Sequence, residues 1–347
     1  MNYDDVENVT TNYMSGRTEH KIKLEKVIDN LLKDQPKYLT EYYYSISAKC
    51  EIRTCKEYLS KIKKFLKFLN EDTSKIEVEK ITDTDIAKFF KSIERKENKY
   101  GDIDDTSFAY RRQYYAILNK FFAFLFNKGY IKINPMDFIE CSKKKDKIER
   151  HFMDKEDVEA ILKGIENGVG WNAMVLRQKD WKTRDKAIIL MLITTGVRAT
   201  ALTEINVQDI NFQTNEVVVT DKEHEVHTFT MSHELKTALI EWLKDREKLL
   251  GGKDIPALFI SYKKERLGYQ SIRKLTMKYS WFTLGESYSP HKFRASFANM
   301  IYGKTGDVYL TANALRHKNV ETTMRYLCND EKKVNKRTVD IMNSIFK

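Results

Sequence analysis

The chain has 347 residues and is 41% hydrophobic, which excludes a disordered protein and gives two or three domains enough material for a core in each. Its 61 Lys and Arg outnumber 50 Asp and Glu for a net charge of +11, a balance that suits a polyanion such as nucleic acid. The longest apolar run, near 187–193, is too short to span a bilayer and the N-terminus is polar and acidic, so a cytoplasmic protein with no membrane partner is expected.

Residues 1–36 open with Asp4, Asp5 and Glu7, then place Ile22, Leu24, Val27, Ile28 and Leu31 at helical spacing before Pro36. They read as an N-terminal arm or accessory helix, or else a tail. Residues 37–140 read as all helical. A short element covers 38–48. The segment 54–69 sets Cys55, Tyr58, Leu59, Ile62, Phe65, Leu66 and Leu69 at steps of three and four, with lysines on its other side. A third helix begins near Thr82 or Thr84 and buries Ile86, Phe89, Phe90 and Ile93. A fourth covers 106–127, with Gly129 just past its end. The exposed cations Lys56, Lys63, Lys67, Arg111, Arg112 and Lys120 make a plausible clamp on a DNA backbone, although lysine-rich faces also serve solubility.

Residues 141–150 read CSKKKDKIER, a basic linker whose Lys143, Lys144, Lys145 and Lys147 are placed to track phosphates. Beyond it, residues 151–347 form a second domain. Asp154 or a neighbour caps a helix burying Val158, Ile161, Leu162 and Ile165, and 186–195 is a strongly apolar helix ended by Gly196. The period changes at 211–231. Two β-branched runs flank Asp221-Lys222-Glu223-His224, which predicts a hairpin with His224, His227 and His233 on its surface. Ser232 caps a helix to about 250, and another covers 269–282. The helix after Ser289-Pro290 carries His291 and Arg294 one turn apart, with Phe293, Phe297 and Ile301 as its apolar stripe. The tail from 332 carries Val334, Val339, Met342, Ile345 and Phe346 in an amphipathic helical pattern.

Several polar residues lie at element ends: Arg198, Lys222, His291, Arg294, His317 and Tyr326. Two arginines can grip both non-bridging oxygens of one phosphate and stabilise its pentacoordinate transition state, each contributing about 3 kcal/mol. A tyrosine phenol is a nucleophile that can later depart, so a phosphotyrosine link stores the energy of a cleaved strand. A lysine can protonate the departing 5′ oxygen, and histidines can take the phenol proton or hold the phosphate. Taken singly, Arg198 also reads as a cation at a helix end, His317 as a packed histidine and Tyr326 as core. The four cysteines, Cys50, Cys55, Cys141 and Cys328, have no metal-ligand spacing and there is no acidic cluster, so neither metal nor cofactor is expected.

These residues, in TTGVRATAL, VVVTDKEHEVHTFTMS, SPHKFRASFA and ALRHKNVETTMRYL, resemble the signature of the tyrosine recombinase (phage integrase) family. RTCKEYLSKIKKFLKFL and YYAILNKFFAFLFNKGYIKINP resemble its core-binding domain. The resemblance implies a mainly α fold: an N-terminal four-helix core-binding (SAM-like) domain, then a mixed α+β catalytic domain with a small antiparallel sheet. It also implies a site-specific recombinase or integrase that joins double-stranded DNA through a 3′-phosphotyrosine and a Holliday junction. Such an enzyme acts as a homo-tetramer on two DNA sites, exchanging C-terminal helices, and the extra N-terminal segment leans toward a mobile element. The alternatives are a Xer-type chromosome or plasmid resolvase, a type IB topoisomerase and a non-catalytic DNA-binding protein. Two departures stand out. The family's frequent acid three residues after the first arginine is here Ala201, with Glu204 out of phase, and its usual LGH is Leu315-Arg316-His317, which adds a cation that can contact DNA.

Overall fold

The computed structural model describes residues 16–97, 103–141, 152–221, 225–324, 326–327, 339 and 342–343. It divides into two compact units, one of Arg17–Glu149 and one containing Arg150–Lys347.

The first unit is built on α1 (Gly16–Leu32), α2 (Lys37–Ser47), α3 (Ile52–Leu69), α4 (Asp83–Ser92) and α5 (Phe108–Asn127). A short antiparallel pair, β1 (Arg95–Glu97) and β2 (Ile103–Asp105), joins α4 to α5. The spacing on α3 has the consequence expected of it: Cys55, Leu59, Ile62, Phe65 and Leu66 are all buried. The core is aromatic. Phe65 meets Phe89 edge-on at 5.1 Å and Phe122 at 5.9 Å, and Tyr42 meets Phe121 at 5.2 Å. Helix starts follow the capping rules, with Thr82 and Asp85 forming a reciprocal box on α4 and Ser107 accepting from the Tyr110 amide on α5.

Of the two readings of residues 1–36, an arm or an accessory helix, α1 has the form of the second. Ile28 of α1 is buried in the same core as α2, α3 and α5, and Lys63 of α3 donates to the Leu31 carbonyl at 3.3 Å.

The second unit is mixed. Its helices are α6 (Lys155–Asn167), α7 (Asn172–Lys179), α8 (Lys182–Thr195), α9 (Ala199–Leu202), α10 (His233–Leu250), α11 (Tyr269–Leu284), α12 (Pro290–Thr305), α13 (Val308–Ala314) and α14 (Val320–Met324). Strands β3 (Ile210–Asn211), β4 (Glu216–Thr220) and β5 (Val226–Thr230) form an antiparallel sheet in that order. Its register pairs Val217 with Phe229 and Val219 with His227. At the centre lies α8, buried from Ala187 to Ile193 and packed by α6, α10 and α12. The apolar run within it gives no face to read, and needs none, since protein surrounds it. Its first turn carries a buried ion pair, Arg184 on Asp185 at 2.7 Å, which the Tyr279 hydroxyl at 2.8 Å and the Ile260 carbonyl at 2.9 Å complete. This core fixes the ends of α8, α12 and α13, where the candidate site residues lie. Among the described residues no helix is long and apolar enough to cross a membrane.

Candidate active site

The site grows out of the turn that ends α8. Gly196 has φ +63°, the left-handed conformation that closes a helix, and a Cβ there would run into the ring of Phe297. Glycine is thus required twice over, by the turn and by the helix that packs on it. The chain leaves the turn extended at Arg198, which becomes the N-cap of α9.

Arg294, on α12, is buried and aimed into this turn. Its Nη1 donates to the Gly196 carbonyl and its Nη2 to the Leu315 carbonyl at 2.6 Å, so one guanidinium ties the end of α8 to the end of α13. Its Nε is buried without a hydrogen-bond partner. Burial, then the neighbouring charge of Arg198, lowers its pKa to about 10, and the Tyr326 phenol pulls the other way. It remains a cation at neutral pH.

After α13, Arg316 takes a left-handed φ of 55° and the His317 amide returns to the Ala312 carbonyl at 3.0 Å. This turn presents the His317 imidazole, whose Nδ1 pairs with the Thr323 hydroxyl at 2.8 Å while Nε2 is buried without a partner. Burial, followed by Arg294, Arg198 and His291, pushes the imidazole down to about 4, which makes it neutral at physiological pH. His291 is also lowered, by desolvation first and then by the two arginines.

The Tyr326 ring stacks on His317 with centroids 5.4 Å apart and planes 16° from parallel, and meets His291 at 5.1 Å and 51°. Its backbone is held by Asn299 of α12, whose Nδ2 donates to the Tyr326 carbonyl at 2.6 Å and to the Ala295 carbonyl at 2.8 Å. Arg198 completes the cluster from the α9 side, with Nη1 donating to the Asp221 carboxylate at the end of β4. Arg198, His291, Arg294, His317 and Tyr326 therefore converge, from segments separated by up to 128 positions. Lys222 lies outside the described residues, as do Lys143, Lys144, Lys145, Lys147 and most of the tail beyond Leu327.

Four contributors are missing from the sequence reading: Asp221, His227, Asn299 and Thr323. His227 was expected on the hairpin surface. In the structure it is half-buried, with Nε2 3.7 Å from the Glu225 carboxylate and no hydrogen-bond partner, and its pKa is lowered by burial and by Arg316, Arg198 and Arg294 against the opposing Glu225. Strand alternation carries the signal, because His227 shares a face with Phe229, which packs on the core. Asn299 and Thr323 act through backbone and hydroxyl contacts that no local pattern announces. Ala201, at the position where an acid was looked for, is part of the apolar core.

Several cations proposed for DNA are engaged within the protein. Lys63 closes the C-terminus of α1, where a cation suits the helix dipole. Arg111 stacks 4.3 Å from the Phe108 ring and lies 3.7 Å from Glu94, and Lys120 donates to the Tyr58 hydroxyl at 3.0 Å. Arg316 donates to the Thr228 carbonyl of β5 at 3.0 Å. Lys67 is exposed, and Lys56 and Arg112 are half-buried. Among the described residues no group of three or more His, Cys, Asp or Glu side chains is arranged to hold a metal ion.

Comparison with known proteins bears on the family and the fold. The model of the Phage integrase family matches residues 151–333. The tyrosine recombinase XerC of Haemophilus influenzae (strain PittEE) is 28% identical over 231 residues, 66% of this chain and 72% of that protein. XerC of Thermodesulfovibrio yellowstonii is 26% identical over 216 residues, covering 61% and 68%. Among solved structures, the XerH recombinase bound to palindromic difH has TM-score 0.58 at 19% identity, over 83% of this chain and 78% of that one. The Tn1549 transposon integrase with transposon right end DNA has TM-score 0.61 at 15% identity, over 88% and 99%. These likenesses support the mainly helical fold with its small sheet. On a family match that spans more than half its length and contains the whole converged cluster, the chain belongs to the phage integrase family, the tyrosine-type site-specific DNA recombinases.

Proposed function

We propose that this protein cuts and rejoins duplex DNA with Tyr326 as the nucleophile, forming a 3′-phosphotyrosine and releasing a 5′ hydroxyl. The observation that carries the reading is the contact of the Tyr326 ring with both imidazoles, beside the buried Arg294. Arg294 and Arg198 hold the non-bridging oxygens of the scissile phosphate and stabilise the charge of the pentacoordinate transition state. His317 accepts the phenol proton and His291 steadies the phosphate. Burial is the larger cause of the lowered His317 pKa, and a phosphate between the two arginines offsets only the smaller part that comes from their charges. Lys222 protonates the departing 5′ oxygen. The freed 5′ hydroxyl then attacks the phosphorus of the partner strand's 3′-phosphotyrosine, breaking its bond to the tyrosine and releasing the phenol, and a second round resolves the Holliday junction within a tetramer on two sites, its protomers linked by exchanged C-terminal helices.

Lys56, Lys67, Arg112 and the linker lysines are the proposed phosphate contacts, with Lys120, Arg111 and Arg316 reaching DNA only by giving up their present partners. Lys63 is better read as a cap on the C-terminal end of α1. The setting expected from sequence is a mobile element, by virtue of an added N-terminal segment. The burial of Ile28 in the helical core weakens that ground, and the XerC relatives favour a second reading, chromosome or plasmid resolution.

The test uses a pool of nicked duplexes with a randomised core, from which SDS-resistant protein–DNA adducts are recovered. Wild-type protein yields adducts and Tyr326→Phe yields none. Equal recovery from the two proteins removes Tyr326 from the chemistry, and relaxation of any supercoiled plasmid without a site preference replaces recombinase with topoisomerase.

A further inference from the structure

We propose that Asp221 is a positioning residue for Arg198, holding its guanidinium in the orientation that receives the scissile phosphate. The inference rests on the functional reading above.

The geometry is specific. Arg198 stands on a short extended link between the Gly196 turn and α9, and its side chain is 37% exposed. A long side chain so placed samples many rotamers unless something holds it. Asp221 supplies the hold from an independent platform. It follows β4, the middle strand of the sheet, whose Val217 and Val219 are buried in the core, and its amide donates to the Glu225 carbonyl at 2.8 Å across the base of the hairpin loop. The Asp221 side chain is only 13% exposed, and its Oδ2 accepts from Arg198 Nη1. A guanidinium has five N–H donors in a rigid plane, so fixing one terminal nitrogen orients the rest and leaves donors for a phosphate.

The pair also answers an electrostatic need. Arg294 cannot move away from Arg198, since its own head is fixed on the Gly196 and Leu315 carbonyls. Two cations brought to one phosphate repel each other before it arrives, and the Asp221 carboxylate offsets that repulsion on the more exposed side. Nearer in sequence, the residue one turn along α9 from Arg198 is Ala201, which is in the core, so the carboxylate is supplied from the sheet.

The experiment uses the full chain and a nicked duplex recovered as an adduct by the wild-type protein. Adduct formation is followed in single turnover at saturating duplex, alongside duplex affinity, for Asp221→Ala, Asp221→Asn, Arg198→Ala and the double variant Asp221→Ala/Arg198→Ala. Asp221→Ala is expected to slow adduct formation about 10- to 100-fold, the scale of a misplaced reacting group, with affinity within about threefold. Asp221→Asn, which keeps an oxygen acceptor and the side-chain shape but not the charge, recovers part of the rate. The double variant is no slower than Arg198→Ala, because Asp221 acts through that arginine. An unchanged or faster rate in Asp221→Ala, an Asn variant as slow as Ala, or full additivity in the double variant overturns the proposal. Arg198→Ala with wild-type rates would overturn the functional reading as well, whereas a slow Arg198→Ala beside a normal Asp221→Ala sinks the positioning role alone.

Discussion

Among the described residues of the helical unit, the buried side-chain polar atoms left without a hydrogen-bond partner are the hydroxyls of Tyr38 and Tyr42 and Nε of Arg111. In the second unit, among the described residues, they are Nε2 of His227, Nε of Arg294 and Nε2 of His317. Such atoms are costly in either place. The tyrosine hydroxyls sit at the rims of aromatic rings packed on Phe121, so the rings' burial outweighs the loss. The second set has no such offset. All three belong to side chains that feel the charge of Arg198, and Arg294 and His317 also lie against Tyr326. Lys63 of the helical unit is drawn into a helix end, whereas the unpartnered Nε of Arg294 lies in the proposed phosphate site.

The largest effect that would break this contrast belongs to Arg294. Arg294→Ala removes a phosphate ligand and leaves the Gly196 and Leu315 carbonyls unpaired in the interior. Adduct formation should fall about 10²- to 10³-fold, and unfolding of the second unit should become easier by about 2–4 kcal/mol. If the rate survives, the unpartnered Nε is an incidental feature of packing, as in Arg111.

A glycine from each unit sharpens the contrast. Gly129 and Gly196 both have positive φ, but a Cβ at Gly129 would meet nothing within 4 Å, whereas one at Gly196 collides with Phe297. Gly129→Ala should cost about 1 kcal/mol in backbone strain. Gly196→Ala adds overpacking, for about 2–4 kcal/mol in all, and shifts the carbonyl that holds Arg294. Urea denaturation followed by adduct kinetics reads both, and equal costs would mean that α12 yields freely.

What was legible in the sequence divides along the same line. Elements with a one-sided apolar pattern or a capping residue were readable locally: α3 from its spacing, α6 from Asp154, α10 from Ser232, the hairpin from its two β-branched runs. The short β1–β2 pair and the weakly patterned α7 offered no such period, and α1 showed too few buried residues to declare its membership of a core. The converging polar residues could be assembled only through resemblance, since nothing in local periodicity joins residue 198 to 294. Contacts such as Arg198 with Asp221, or Asn299 with the Tyr326 carbonyl, are consequences of packing between distant segments.

Acid should act on one unit more than the other. His20 is the single histidine between residues 17 and 149, while His227, His291 and His317 all have lowered pKa values, His317 to about 4. An unfolded histidine takes its proton near pH 6.5. Between about pH 4 and 6.5 the unfolded chain therefore binds more protons than the folded one, so stability is complete above that window and falls as pH drops through it. The loss should be about 1–2 kcal/mol after allowance for solvent screening. Peptide-resolved hydrogen exchange at pH 7 and pH 4.5 should place it in residues 150–347, and His317→Asn should shrink it. Equal loss in both units would show that the histidines are not its source.

The smallest effects separate cations that serve the fold from those that face the solvent. Lys63 and Lys67 lie one turn apart on α3, yet Lys63 reaches the Leu31 carbonyl and Lys67 is exposed. Lys63→Ala should cost about 0.5–1 kcal/mol of stability and leave the salt dependence of DNA binding unchanged. Lys67→Ala should leave stability within about 0.5 kcal/mol and reduce the slope of log K against log salt by about 0.9, one phosphate contact. Reversed results would mean that α1 gives up its lysine when DNA is bound, and that the helical unit also holds part of its charge in reserve for the duplex.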